Sequence, residues 1–305
     1  MITFFTIPKP FEGHTAVIQR NAIQSWIKAV PACEIILCGD DPGISEIARE
    51  FDLKHIAAIE RNSFGTPLLN SAFHQAQQFS QNPYICYINT DIIMVSDITR
   101  AITMIPFKEF LMIGRRWDMD IADPIDFSTP DWKARLEKER ADHGTLEPPN
   151  AMDYFAFPRG TIGDIPPFAV GRPGWDNWLI YHVRAERNPV VDATQAVTII
   201  HQNHGYNHVP LRRGNAWEGP EGDRNIDLAG GRDKVFTLHD ATWVLSQRGL
   251  KRALSPDHLK RILPALASLY PRARGLINGI TTIISLPKRI SASLIRRLNM
   301  LFGKQ

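Results

Sequence analysis

Tyr84-Ile85-Cys86-Tyr87-Ile88-Asn89-Thr90-Asp91-Ile92-Ile93-Met94-Val95-Ser96-Asp97 is the stretch on which the reading of this chain turns. A short apolar run suits a buried strand, three polar residues break it, and a second apolar run follows. Upstream, Ile2–Ile7 is a similar run closed by Pro8 and Pro10. Glu34–Cys38 is another, ended by Gly39-Asp40-Asp41-Pro42-Gly43, and His55–Ile59 is a third. Between them Ile18, Ala22, Trp26 and Val30 recur every four residues and mark one helix face. Ile44–Phe51 and Thr66–Phe79 read as further helices, the second with Pro67 near its start. Strand and helix in alternation predict right-handed crossovers and a mostly parallel, doubly wound α/β sheet.

Beyond Ile105 the rhythm loosens. Phe110–Trp117 reads as one strand, Asp153–Phe157 as another, Trp175–Glu186 as a helix and Val190–Ile200 as extended. Asp118–Pro149, rich in acids and prolines, reads as a flexible surface excursion with one helix near Trp132–Arg140. His201–Glu221 has a loop composition dense in His, Asn, Gly and Trp, and two to three helices are expected after Ala241. No internal repeat or low-complexity tract stands out.

The 305 residues carry a net charge of +3 that hides an asymmetry. From Ala241 to Gln305 there are 12 Lys/Arg and one acid, Asp257, whereas the preceding 240 residues sum to −8. We therefore expect an acidic body over 1–240 and a basic helical extension over 241–305, and no nucleic-acid groove in the body. In the extension Leu276, Ile280, Ile283, Ile290, Leu294 and Leu298 lie among Arg272, Arg274, Lys288, Arg289, Arg296 and Arg297. Pro287 would separate a last amphipathic helix, Arg289–Phe302, suited to the interface of an anionic membrane or to packing on the body. No apolar run reaches the roughly 18 residues of a membrane span, and the first residues do not read as a secretory signal. Cys38 and Cys86 lie in apolar runs and Cys33 nearby, so all three are expected as reduced thiols. The expected setting is cytoplasmic, with peripheral contact at the inner face of the membrane through the tail.

Three segments carry chemistry. At the carboxyl end of a strand in an open α/β sheet, where ligands bind, Asp91 could hold a hard divalent cation or simply close an Asx-turn. In Gly174-Trp175-Asp176-Asn177-Trp178, an acid stands between two indoles at a helix start. Trp175 and Trp178 could stack on a sugar while Asp176 accepts from its hydroxyls, or Asp176 could cap a helix whose tryptophans are core. His201, His204 and His208 crowd one segment without the cysteines of a familiar zinc spacing.

In its TIPKPF opening (6–11), the QRNAIQSW helix (19–26), the CYIN-x-D strand end (86–91) and GWDNW (174–178), the chain resembles nucleotide-sugar-dependent glycosyltransferases of the GT-A fold. The subgroup it resembles is bacterial, family 2-like and polysaccharide-building. The resemblance covers roughly residues 1–210 and implies a hexosyltransferase-like enzyme. It would use a UDP- or GDP-sugar donor, a glycan or lipid-linked acceptor, and Mn²⁺ or Mg²⁺. Its Asp-x-Asp element corresponds to Asn89-Thr90-Asp91, so the resemblance gives Asp91 the metal and Asn89 a donor contact. It places Thr6 and Pro8 near the base, Asp40 or Asp41 on the base or ribose rather than in a plain acidic turn, and Arg61 near phosphate or sugar rather than merely at the surface. Arg115 and Arg116, after the FLMIG run, could serve the diphosphate or form structural salt bridges. His201, with His204 second, would complete the metal shell and favour Mn²⁺. Asp176 would be the general base of an inverting reaction. Alternatives are a non-catalytic glycan-binding or scaffolding protein on a degenerate GT-A fold, and a sugar nucleotidyltransferase. The single glycine in IPKPFEGHTAVIQRN disfavours the second.

Overall fold

The computed structural model describes residues 1–204 and 219–283. His208 and the expected helix Arg289–Phe302 lie outside the described residues. The chain forms two compact units, Met1–Ala253 and Leu254–Gln305.

The first unit is built on a nine-stranded sheet. Its N-terminal half follows the expected rhythm: β1 (Ile2–Thr6), α1 (Gly13–Ala29), β2 (Glu34–Cys38), α2 (Ile44–Glu50), β3 (Lys54–Ile56), α3 (Leu69–Phe79) and β4 (Tyr84–Ile88). β1 pairs in parallel with β2 and β4, and β2 with β3. These strands bear apolar side chains on both faces because helices cover both. Ile2, Phe4, Ile35, Leu37, Cys86 and Ile88 join one core with Ala22 and Trp26 of α1. α3 starts at Leu69, three residues later than Thr66. A bridge between Arg61 and Pro67 holds the intervening backbone in a loop.

The second half differs from its sequence reading in an instructive way. Three runs each give two strands in two different sheets, although only the first shows a break in its sequence. The first run, 84–97, gives β4 and then β5 (Ile92–Met94), followed by α4 (Ile98–Thr103). Phe110–Trp117 gives β6 (Leu111–Arg115) and β7 (Trp117–Met119), with Arg116 between them. Val190–Ile200 gives β10 (Val190–Gln195) and β11 (Ile199–Gln202). β4, β6 and β10 lie in the large sheet, whereas β5, β7 and β11 form most of a four-stranded one, ordered β5-β11-β7-β8 with β8 at Thr145–Leu146. The large sheet is completed by β9 (Met152–Pro158), β12 (Trp243–Ser246) and β13 (Gly249–Arg252), in the order β13-β12-β10-β6-β9-β4-β1-β2-β3.

β9 decides the geometry of the site. It runs antiparallel between β4 and β6, so its first residues lie beside the last residues of both. The segment 118–149 is structured rather than a loose excursion. It contributes β7, α5 (Trp132–His143) and β8, and Met119, Phe127, Trp132 and Leu136 share a small core with Ile93, Val95 and Ile200. The first unit also runs past the boundary expected at residue 240, because β12 adds to β10 in parallel and carries β13 with it. Strands thus precede the helices expected after Ala241. The remaining helices are α6 (Trp175–Ala185), α7 (Pro220–Leu228) and α8 (Pro256–Leu269), with helical residues again at 274–283. All three cysteines are free, and burial pushes the Cys38 thiol up to about 12. Among the described residues, no helix is long and apolar enough to cross a membrane.

Candidate active site

Where the chain passes from the large sheet to the small one, polar side chains converge. Asp91 follows β4 by three residues, and one of its carboxylate oxygens, Oδ2, lies 3.0 Å from His204 Nε2 and 3.8 Å from His201 Nε2. One ligand atom from each of Asp91, His201 and His204 falls within 4.8 Å of the others. The second Asp91 oxygen, Oδ1, is buried without a hydrogen-bond partner. A carboxylate oxygen buried and unpartnered beside two imidazoles fits a cation ligand set, since a buried acceptor otherwise keeps a partner. Burial works against the ionised form of Asp91. The His204 hydrogen bond and the charges of His201 and Lys9 outweigh it and hold the carboxyl well below its usual range. Such a mixed nitrogen and oxygen set suits Mn²⁺ better than Mg²⁺.

His201 is only 4% exposed. It stands in register with Ile92 of β5 on one side and Asp118 of β7 on the other. Asp118 Oδ1 lies 3.3 Å from Nδ1, a contact without hydrogen-bond geometry, while Nε2 stands 3.8 Å from Asp91 Oδ2. A carboxylate near the far nitrogen is an arrangement found behind ligating histidines.

Asp118 is held in turn. Arg116 Nε donates to Asp118 Oδ1 at 2.8 Å, and Nη1 pairs with Asp153 Oδ2 at 2.9 Å. The other Asp153 oxygen accepts from Asn89 Nδ2 at 2.6 Å. Asp153, 6% exposed, heads β9 and therefore meets the end of β4, where its carbonyl also accepts from the Asn89 N–H. A chain of contacts thus runs Asn89, Asp153, Arg116, Asp118, His201.

Asp176 stands in the first turn of α6, after Gly174 in the left-handed region at φ 100°. Its Oδ1 accepts from the Asn177 N–H at 2.9 Å. Burial, opposed by backbone hydrogen bonds and aided by the charge of Asp153, pushes its carboxyl up to about 7. Trp175 packs edge-on against the Tyr87 ring of β4 at 5.1 Å. Trp175 thus sets the start of α6, where Asp176 stands, against β4.

No family model matches this chain, and no curated protein matches it. Among solved structures it is similar to the mannosyltransferase PcManGT from Pyrobaculum calidifontis in complex with GDP-Man and Mn²⁺. That match has 11% identity and a TM-score of 0.44, and covers 100% of this chain and 88% of that one. It is also similar to glucosyl-3-phosphoglycerate synthase from Mycobacterium tuberculosis in complex with Mn²⁺, UDP and phosphoglyceric acid. Identity there is 12% and the TM-score 0.43, over 76% of this chain and 79% of that one. S. aureus TarS is similar over 39% of this chain, at 14% identity and a TM-score of 0.31, and the match spans only 22% of its length. The fold itself is mixed α/β, a mostly parallel central sheet flanked by helices. These likenesses are distant, so what the site does rests on this chain's own residues.

The other expected contacts sort into two groups. Asp40, Asp41 and Arg61 come together after β2 and β3, with Arg61 Nη2 at 2.6 Å from Asp40 Oδ1 and 3.2 Å from Asp41 Oδ1. Arg61 holds the exposed Asp40 carboxyl below its usual range. The remaining expectations need correction. Trp175 and Trp178 are 6% and 8% exposed. Trp175 packs on Tyr87 and Phe155, and Trp178 on Phe168 and, at 4.7 Å, the His182 ring. With protein on their rings, neither offers an open platform for a sugar. Arg115 turns away from the site to the carbonyls of Leu146 and Glu147, leaving Arg116 to face the acids. Asn89 uses its amide on Asp153, and buried Thr6 bonds the Thr90 hydroxyl at 2.7 Å. Pro8 is buried.

Three residues escape the sequence reading altogether: Lys9, Asp118 and Asp153. Lys9 stands within the TIPKPF opening, and burial, partly offset by the Asp91 charge, lowers its ammonium's pKa. The visible signals were a lysine between two prolines after β1, and an acid heading the apolar run of β9. Asp118 had none, because it lay in a segment read as loop.

Proposed function

We propose that the chain is a metal-dependent glycosyltransferase that moves a sugar from a nucleoside-diphosphate donor, UDP- or GDP-linked, to a hydroxyl of a glycan or lipid-linked saccharide in polysaccharide biosynthesis. The observation that carries this reading is the convergence of Asp91, His201 and His204 at the end of β4, with one Asp91 oxygen unpartnered. These three side chains would hold Mn²⁺ or Mg²⁺, which would supply positive charge to offset that of the donor's diphosphate. Asp118 stands beside His201, and Arg116 with Asp153 keeps Asp118 in place. Asp40, Asp41 and Arg61, clustered beyond β2 and β3, would meet the donor's polar groups.

Asp176 supplies the proton chemistry. Its ionised carboxylate takes the proton of the acceptor hydroxyl as that oxygen bonds to the anomeric carbon. The bond from that carbon to the diphosphate oxygen breaks, and its electron pair leaves with the nucleoside diphosphate. A single displacement of this kind inverts the anomeric centre. A carboxyl held near 7 suits a base working at neutral pH.

Thermal-shift measurements with UDP-, GDP- and dTDP-sugars, with and without Mn²⁺, test the proposal. Stabilisation by one donor that needs the metal, and that Asp91→Ala removes, is the expected result. Indifference to every donor would leave a non-catalytic protein on the same fold.

A further inference from the structure

The described part of the second unit, residues 254–283, has an inverted distribution of side chains. In α8 the buried residues are His258, Ala265, Ala267 and Ser268, small or polar apart from the histidine ring. Larger apolar residues stand in solvent, Leu259 at 51% and Ile262 at 43% exposed, with Tyr270 at 47% just past the helix end. At helical spacing these share one face with half-buried Leu263 and Leu266. The helical residues 274–283 repeat the pattern. Leu276, Ile280 and Ile283, spaced i, i+4 and i+7, are 72%, 40% and 67% exposed. Among the described residues, seven of the ten large hydrophobic side chains left exposed fall between 254 and 283. Exposed apolar surface concentrated in this way marks a contact site.

Charge selects the partner. Residues 254–283 carry Lys260, Arg261, Arg272 and Arg274 against Asp257 alone, and 284–305 add five bases and no acid. A second copy laid face to face would set base against base. Anionic headgroups above an acyl layer satisfy both the bases and the apolar stripe, as in helices that lie in the bilayer interface.

We propose that residues 254–283 form an interfacial docking surface for an anionic phospholipid bilayer. Leu259, Ile262, Leu276, Ile280 and Ile283 enter the headgroup–acyl boundary, and Lys260 and Arg272 meet lipid phosphates. The contact is peripheral and independent of the sugar chemistry assigned to the first unit.

The test is flotation of the full chain with phosphatidylcholine vesicles, alone or containing about one third phosphatidylglycerol, at low and high salt. Two variants accompany it: Leu259→Ser/Ile262→Ser/Ile280→Ser, and Lys260→Glu/Arg272→Glu. Their side chains are solvent-exposed, and circular dichroism verifies that both variants fold. The expected result is binding that requires phosphatidylglycerol, weakens with salt and falls about tenfold or more in each variant. Absence of binding, equal binding to neutral vesicles, or variants that bind like the parent would overturn the proposal. So would a dimer, seen by analytical ultracentrifugation, that the serine variant abolishes, because a second copy would then cover this face.

Discussion

The two sheets of the first unit divide the work. In the nine-stranded sheet β1, β4 and β9 are buried along nearly their whole length, and the core on its faces is built from Ile, Phe and Val. In the four-stranded sheet the strands have two to four residues, yet β7 and β11 carry Asp118 and His201 side by side. The large sheet supplies rigidity through apolar burial. The small sheet supplies a surface on which acids and imidazoles reach each other, and the passages between the sheets place Asn89, Asp91 and Arg116. A site of this kind sits at the carboxyl ends of strands, where backbone pairing ends and side chains face a crevice.

That division can be broken experimentally, and the largest effect is expected at Asp176. Asp176→Asn should lower transfer by about 10²–10⁴ while donor affinity stays unchanged. Stability should move the other way. The folded-state value of Asp176 is raised, so the stability of its protonated form is present at acid pH and lost as pH climbs toward about 7. Above that pH the asparagine variant should be more stable by about 1–3 kcal/mol, read from urea unfolding. An Asn variant that is both active and unaltered in stability would remove Asp176 from the chemistry.

A contrast between the sheets comes next. Asp118→Asn should weaken Mn²⁺ binding by about 10–100-fold in calorimetry, with little change in melting temperature. Ile36→Ala, in β2 of the large sheet and fully buried, should cost about 2–5 kcal/mol yet leave the Mn²⁺ affinity of the folded protein intact. If both variants lost metal affinity and stability together, the two sheets would not be separable.

The rate profile gives a smaller, graded effect. As the base must be ionised, transfer should fall by about tenfold per pH unit below about 7 and level off above it. The Asp176→Asn residual activity should lack that limb. Smallest of all is Thr6→Val, which leaves the buried Thr90 hydroxyl without its partner and should cost about 1–3 kcal/mol. Donor affinity should be unmoved; a large loss would restore Thr6 to the nucleotide contact that its hydrogen bond to Thr90 argues against.

Periods of two and of four residues, and the prolines and glycines that end them, are local properties. For that reason β1, α1, β2, α2 and β4 are legible in the sequence itself, along with Asp91 at the strand end and the acid in GWDNW. The breaks inside 110–117 and 190–200 are not, because an apolar run looks the same whether its residues serve one sheet or two. Nor could local pattern show that β9 would slip antiparallel between β4 and β6 and bring Asp153 against Asn89, 64 positions away. Pairings of that reach depend on strand order, which the whole core settles at once. They alone turned the indoles of Trp175 and Trp178 inward, sent Arg115 to a backbone and Arg116 to the acids, and assembled Asp91, His201 and His204 around one point.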